Sequence, residues 1–374
     1  PSTVQTRAHS VLYRLRSAVG SAETEFYMQQ VVPADEPTAM DVMVPSNLKH
    51  SSRNPEFRVS APLLAITQGI GAVEVFEWSS AINCSGYMID PGAGSCLHKV
   101  QSLPSDGANA VLMFDILSSR SSVKNETILI IAHASVNNVS NPNQTLHPTF
   151  YTWFNGSFVA PNSPANVQSL PTDGAKCLEK IDLNGRQLLV ICQSSACRAD
   201  RVGGPVHAKD DDAYVQNDGA CSVVYEWYNN SWTFLQVIPV YGAKSVTAFT
   251  RPSTEAGVGN DFYLLVAANA SVGAEADAES VLLRWETTVS SAGLELFQGF
   301  ARTRRIYTKA PRRWAVHKSG DLQFAAVATE EHFQASTGNE YPEMSSCNAT
   351  ECFVGGGKEW LGCRTVGTAN KVTG

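Results

Sequence analysis

The chain has 374 residues, 43% of them apolar, and a formal net charge of −7. That is enough for one large β domain or two ordinary ones, and the acidic balance speaks against wholesale nucleic-acid binding. No apolar run nears the roughly 18 residues that would span a bilayer, so no transmembrane segment is expected; the longest is Ile128–Ala132. The chain begins at Pro1 without a signal peptide, which reads as a mature form or a piece of something longer.

Taken in chain order, three elements return together. The first is an apolar-aromatic run ending in Trp or its equivalent: "SVLYRL" (Leu15), "VEVFEW" (Trp78), "PTFYTW" (Trp153), "SVVYEW" (Trp227) and "SVLLRW" (Trp285). The second is a phrase around a glutamine. "QSLPSDGA" (from Gln101) and "QSLPTDGA" (from Gln168) are nearly identical, "QVIPVYGA" (from Gln236) is a weaker copy, and Gln30 and Gln298 are placed at the outer copies. The third is an apolar run: "APLLAIT" (61–67), "ILIIAHA" (128–134), "QLLVICQ" (187–193), "FYLLVAAN" (262–269) and "QFAAVAT" (323–329).

Each unit reads as four strands: the Trp strand, the Gln strand, a strand such as "NAVLMFDI", and the apolar run, which is buried on both faces. Pro after the Gln stops a ladder, and the following Gly-Ala allows a tight corner with close packing. Four-stranded units repeated at 62 to 71 residues are the sequence form of a β-propeller. The expected fold is therefore all-β: residues 1–333 as a propeller of antiparallel blades, with units near 10–70, 71–136, 147–195, 221–271 and 279–333. Residues 334–374 read as a Cys- and Gly-rich tail or linker. The competing reading is a pair of β-sandwiches.

Eight N-glycosylation sequons, at Asn83, Asn125, Asn138, Asn143, Asn155, Asn229, Asn269 and Asn348, exceed the about three or four that chance gives. Nine cysteines without metal-ligand spacing fit disulfides in an oxidising compartment. Cys84 with Cys96, and Cys197 with Cys221, would close short loops, while Cys347, Cys352 and Cys363 crowd the tail. One pair follows from geometry. Asn184-Gly185 is a two-residue hairpin signal, so opposed residues have numbers summing to 369, as Cys177 and Cys192 do. An odd count leaves one thiol free or shared with another chain. The expected location is extracellular or at the cell surface.

The order [VL]-[YF]-x-W, Gln-x-[IVL]-Pro-x-x-Gly-Ala, then Tyr-Leu-x-Val-Ala-Asn resembles the epilepsy-associated (epitempin) repeat, most closely over residues 223–269. The resemblance covers residues 10 to about 333. It implies a propeller that serves as a protein-binding platform in secreted or cell-surface proteins, as in the leucine-rich glioma-inactivated proteins, without catalysis. Five copies imply a five-bladed ring, or part of a seven-bladed one as in that family.

Candidate function lies in the insertions and in one basic stretch. "KDDDAYVQNDG" (209–219) lacks the ligand alternation of a calcium loop and reads as solvated. "RTRRIYTKAPRRWAVHK" (302–318) is purely basic; its Arg302, Arg304, Arg305, Lys309, Arg312 and Arg313, with Tyr307 and Trp314 interleaved, suit an anionic glycan or acidic protein surface. The alternative is a set of arginines covering a blade edge. His133 lies in a buried-looking strand, and His98, His207 and His317 lack metal-ligand spacing. No catalytic residue, metal or cofactor is expected. The functional expectation is an extracellular binding or adhesion module. The alternatives are a subunit of a surface filament or coat that self-associates, and a glycan-active enzyme with a carboxylate pair on the propeller axis.

Overall fold

The computed structural model describes residues 10–17, 24–32, 37–45, 61–68, 71–79, 87–88, 96–105, 107–116, 126–133, 147–154, 156–160, 170, 172, 174–193, 222–238, 240, 242–253, 260–268, 279–289, 295–308, 311–319 and 322–329. The described residues hold 21 strands and no helix. The tail, the 209–219 segment and Cys84, Cys197, Cys221, Cys347, Cys352 and Cys363 lie outside them, as do Asn83, Asn125, Asn138, Asn143, Asn155, Asn269 and Asn348.

The fold is a β-propeller. Four antiparallel four-stranded sheets follow one another. The first is β3 (Pro37–Met43), β4 (Leu63–Gln68), β5 (Ala72–Ser79) and β7 (Cys96–Pro104). The second is β8 (Ala108–Ile116), β9 (Glu126–His133), β10 (Thr149–Phe154) and β11 (Ser157–Val159). The third is β12 (Ala175–Leu183), β13 (Arg186–Gln193), β14 (Ser222–Tyr228) and β15 (Ser231–Ile238). The fourth is β16 (Ala243–Pro252), β17 (Asn260–Ala268), β18 (Glu279–Val289) and β19 (Glu295–Tyr307). Two partial sheets complete the described set. One is β1 (Ser10–Ser17), β2 (Thr24–Val32) and the short β6 (Tyr87–Met88); the other is β20 (Pro311–Ser319) with β21 (Leu322–Thr329).

The blades are offset by two strands from the repeat units. A unit opens on its Trp strand, whereas that strand is third in each blade, as β10 and β14 show. Each unit thus begins in one blade and ends in the next. Among the described residues β1 and β2 correspond to third and fourth strands of a blade, and β20 and β21 to first and second ones, in separate sheets.

The core is a series of slabs between sheets. The apolar second strands supply both faces of a blade. Leu189 and Ile191 of β13 pack toward the second blade, while Leu188, Val190 and Cys192 pack toward the fourth. β9 does the same with Ile130 and Ala132 on one side and Leu129 and Ile131 on the other. Alternation of apolar with apolar is what a strand buried on both faces requires.

The repeated corners are tight where expected. Gly107, Gly174 and Gly242 take φ of 68°, 68° and 57°, values natural to glycine, and the alanines after them are at most 2% exposed. Asn184-Gly185 (φ 47° and 82°) closes β12 on β13 in a primed turn, and the register pairs Leu183 with Arg186 and Cys177 with Cys192. These cysteines form the disulfide, with Cα atoms 4.9 Å apart. The bulge nearest to them falls just outside the pair, between Ala175 and Cys177, so the count from the turn survives. Closing this hairpin contributes on the order of 3 kcal/mol in the chain-entropy picture. Cys96 is also disulfide-bonded.

One expected repeat position moves. In β2, β7 and β15 a bulge sets the Gln opposite the residue three before the Trp or its equivalent: Gln30 opposes Leu12, Gln101 opposes Val75, and Gln236 opposes Val224; Gln168 lies outside the described residues. In the fourth blade the residue so placed is Arg304, opposite Leu282, while Gln298 pairs with Thr287. The fifth copy of the phrase is therefore "RRIYTKAP", 68 residues after Gln236, and Gln298 is not its glutamine.

Candidate functional site

The repeated glutamines clamp neighbouring blades. Gln30 on β2 donates from Nε2 to the Leu97 carbonyl on β7 and accepts from the Leu97 N–H at Oε1, both at 2.9 Å. Gln101 on β7 makes the same pair with Phe158 on β11, both at 2.7 Å. Gln236 on β15 makes it with Phe300 on β19, at 2.7 and 2.8 Å. A primary amide matches one backbone donor and one acceptor, so it satisfies two buried groups at once. This explains why the phrase keeps its glutamine as well as its corner.

The inner strands hold the second recurrent geometry. Each of β3, β8, β12, β16 and β20 carries a bulge at its second residue: Thr38, Asn109, Lys176, Lys244 and Arg312 in turn. Consecutive inner strands touch, β3 with β8, β8 with β12, β12 with β16 and β16 with β20. Two of the bulge side chains tie β3 to β8 and β8 to β12. Thr38 Oγ1 donates to the Ala108 carbonyl (3.0 Å), and Asn109 Nδ2 donates to that of Lys176 (3.2 Å). The five bulge positions thus recur at the same end of five consecutive inner strands.

Lys176 and Lys244 hold equivalent bulges on the neighbouring strands β12 and β16. Both are half-buried, and neither ammonium has an ion-pair partner among the described residues. Burial, and then the charge of Lys244, hold the Lys176 pKa below its ordinary value. Three residues further along the strands come Asp41 and Glu179, at equivalent places on β3 and β12. Asp41 Oδ2 accepts from the Met113 N–H (2.5 Å), and Glu179 Oε1 accepts from the Ala248 N–H (3.3 Å). Burial raises both carboxyls, Glu179 to about 7, while those backbone hydrogen bonds and the charge of Arg313 pull the other way. The charge of Arg313 on β20 thus acts on carboxyls of both the first and the third blade.

The basic stretch divides. Arg302 and Arg304 are exposed on the outer strand β19, whereas Arg312 and Arg313 are exposed on the inner strand β20. Lys309 and the side chains of Arg305 and Tyr307 lie outside the described residues. Trp314 is buried, packed against the fourth blade, with Nε1 donating to Ser280 Oγ (2.9 Å), so it is core rather than a stacking platform. His133 Nε2 lies 3.2 Å from Thr149 Oγ1, and His317 is exposed. No cluster of metal-ligating side chains occurs among the described residues. Of the sequons, Asn229 is described: it is exposed at the β14–β15 turn with φ 50°.

Sequence reasoning passed over Thr38, Asn109, Lys176, Lys244, Asp41 and Glu179. A signal existed. Aligning the five units on their Gly-Ala corner would have put the bulge residues in one column. Arg312 was reached only through local charge density. No protein-family model matches the chain, and no curated protein matches it in sequence.

Proposed function

We propose that this chain is a secreted, glycosylated β-propeller of the epilepsy-associated-repeat type that works as an extracellular binding module, without catalysis. The observation that carries the reading is the pair of half-buried lysines, Lys176 and Lys244, on neighbouring inner strands, with no ion-pair partner among the described residues. A purely structural fold would gain nothing from such a pair, since like charges in a partly desolvated site repel. The inner-strand carboxylates fit a scaffold better than hydrolysis, because each is already hydrogen-bonded to the backbone of the next blade. The Cys177–Cys192 disulfide and the exposed Asn229 turn support an extracellular setting. No helix among the described residues is long and apolar enough to cross a membrane. The test is the assembly state of native protein by mass photometry, with and without reductant, followed by binding to immobilised extracellular ligands. Monomers that bind a heterologous ligand support the module; monomers that bind nothing, or regular polymers, overturn it.

One observation favours a second reading, a subunit of a surface filament or coat. On β3 the apolar side chains Met40, Val42 and neighbouring Val44 are 64%, 60% and 52% exposed. A face of that kind is a natural contact for another copy.

A further inference from the structure

Two outer hairpins carry a glycosylation sequon on a turn of one design. In the third blade Asn229 and Asn230 are the two residues between β14 and β15. Both take positive φ, 50° and 60°, which makes a primed turn, and Tyr228 pairs directly with Ser231 across the ladder. In the second blade Phe154 pairs with Ser157 in the same way and Gly156 takes φ 85°, while Asn155 lies outside the described residues. In both hairpins the serine hydroxyl donates to the carbonyl of the aromatic residue, Ser231 Oγ to Tyr228 at 3.0 Å and Ser157 Oγ to Phe154 at 3.4 Å. In the third blade the acceptor asparagine, the hydroxyl residue that a sequon requires and an aromatic ring are thus held in one four-residue turn.

Packing among the described residues does not account for that ring. Successive side chains of a strand face opposite ways, and the core side of this hairpin is already filled: Trp227 and Trp232 lie with ring centroids 5.2 Å apart, and Trp232 is 3% exposed. Tyr228 and Phe154 are 62% and 63% exposed. The other units supply the comparison. The residue after the Trp or its equivalent is Arg16, Ser79 or Glu286 in the three units where no sequon asparagine comes next, and Phe154 or Tyr228 in the two where one does. An aromatic thus takes the place of a polar side chain only where a glycan acceptor follows it. The electron-rich face of an aromatic ring attracts weakly polarised C–H groups, and one face of a pyranose presents a row of them.

Granted the secreted, glycosylated reading above, we infer that Asn229 carries an N-linked glycan whose first N-acetylglucosamine stacks on the exposed ring of Tyr228, making the sugar the packing partner of the β14–β15 turn. Phe154 and Ser157 repeat the layout in the second blade. The sugar donor is a lipid-diphosphate-linked oligosaccharide, used by a transferase of the secretory membrane. Asn229 Nδ2 attacks C1 of the reducing-end sugar; the N–C1 bond forms as the C1–O bond breaks. The amide loses one proton, and the lipid diphosphate leaves with the electron pair. What this chain supplies is an exposed acceptor, the sequon serine and a ring beside the new bond.

Two measurements on the full chain test it. Intact-glycopeptide mass spectrometry on the native protein reads the occupancy of every sequon. Hydrogen exchange in β14 and β15 is then followed on protein secreted from a eukaryotic host, for wild type, Tyr228→Ser, Asn229→Gln and the double variant. Unchanged protection of β9 and β17 shows that each variant is folded. The expected result is a glycan on Asn229, with Asn229→Gln quickening exchange in the hairpin about threefold more when Tyr228 is present than in the Tyr228→Ser background. The backbone cost of glutamine at positive φ is common to both backgrounds and cancels in the cycle. A bare Asn229 on a native protein whose other sequons carry glycans would overturn the site and leave the secreted reading standing. A native protein with no glycan at any sequon would overturn both. A glycan on Asn229 whose loss has the same effect in the two backgrounds would overturn the stacking.

Discussion

The slab between the third and fourth blades and the face ahead of the first blade are built from equivalent positions, yet one is sealed and the other bare. In the sealed slab Val246, on the inner strand of the fourth blade, is 6% exposed beneath Leu188, Val190 and Cys192. Val111, Leu178 and Trp314 hold the same place in other inner strands and are buried too. Met40 holds it in β3 and is 64% exposed. The difference is the neighbour. Each of the other inner strands follows a complete blade, whereas β3 follows a half-blade. β1 and β2 cover the outer part of the first blade through Val32 and Leu12 on Ile66 and Phe76, and leave its inner part open. The complementary half, β20 and β21, stays on the fourth blade, where Trp314, Val316 and Val327 pack against Leu265 and Ala267. A repeat writes the same apolar face in every copy, and only ring closure decides whether it is covered.

The largest contrast comes from emptying the sealed slab. Leu188 is fully buried, so Leu188→Ala should cost about 2–5 kcal/mol through lost burial and a cavity that the flanking sheets cannot fill. Urea unfolding would read it; a loss below about 1 kcal/mol would mean that this slab is not tightly packed in solution. The clamps come next. Gln236→Ala leaves the Phe300 N–H and carbonyl without partners in a buried site, for a loss of about 2–3 kcal/mol. Gln30→Ala breaks the equivalent clamp at the seam, and there the effect should be local. Hydrogen exchange should quicken in β1 and β2 while β12 to β19 keep their protection.

These clamps mark where the sequence was legible and where it was not. The phrase at Gln30, Gln101 and Gln236, the buried second strands and the Cys177–Cys192 register could be read directly, because each depends on local periodicity or on counting from one turn. The phase of the blades could not. A cyclic repeat has no intrinsic first strand, so the cut between units is arbitrary until strands pair in space. Gln298 was misassigned because short motifs slide, and only the bulge opposite Leu282 and Leu283 puts Arg304 in the column. The inner-strand charges stayed hidden for another reason. Asp41, Glu179 and Arg313 are separated by more than 130 residues at each step, and only the fold sets the charge of Arg313 on both carboxyls.

The inner strands offer a smaller test, readable through pH. Burial raises Glu179 to about 7 in the folded chain, against an ordinary 4.5. Between those values the folded state holds a proton that the unfolded state has lost. Stability therefore falls as pH rises from about 4.5 to about 7 and is flat above, with Asp41 adding in the same direction. Glu179→Gln keeps an acceptor for Ala248 and cannot ionise. It should match wild type near pH 4 and gain about 1–2 kcal/mol at pH 8, after discounting for the site's partial exposure. Melting curves at the two pH values decide it; an equal effect at both would mean that Glu179 ionises freely in the fold.

The smallest expected effect on the isolated chain is also the one that discriminates best between its two halves. At Met40 the exposed side chain has little burial to lose, so Met40→Asp should change monomer stability by less than about 0.5 kcal/mol. If the seam closes in solution, with β20 and β21 swinging over β3, the same substitution buries a charge and costs about 2 kcal/mol or more. If another copy's half-blade takes that place instead, the monomer is indifferent and association is lost. β1 and β21 are both sheet edges, so a head-to-tail exchange would continue from copy to copy rather than close on itself. Unfolding curves and mass photometry on one pair of proteins separate the three cases. A destabilised monomer means a ring that closes on itself, a silent change means an open seam, and a loss of oligomers with stability intact means a seam filled by a neighbour.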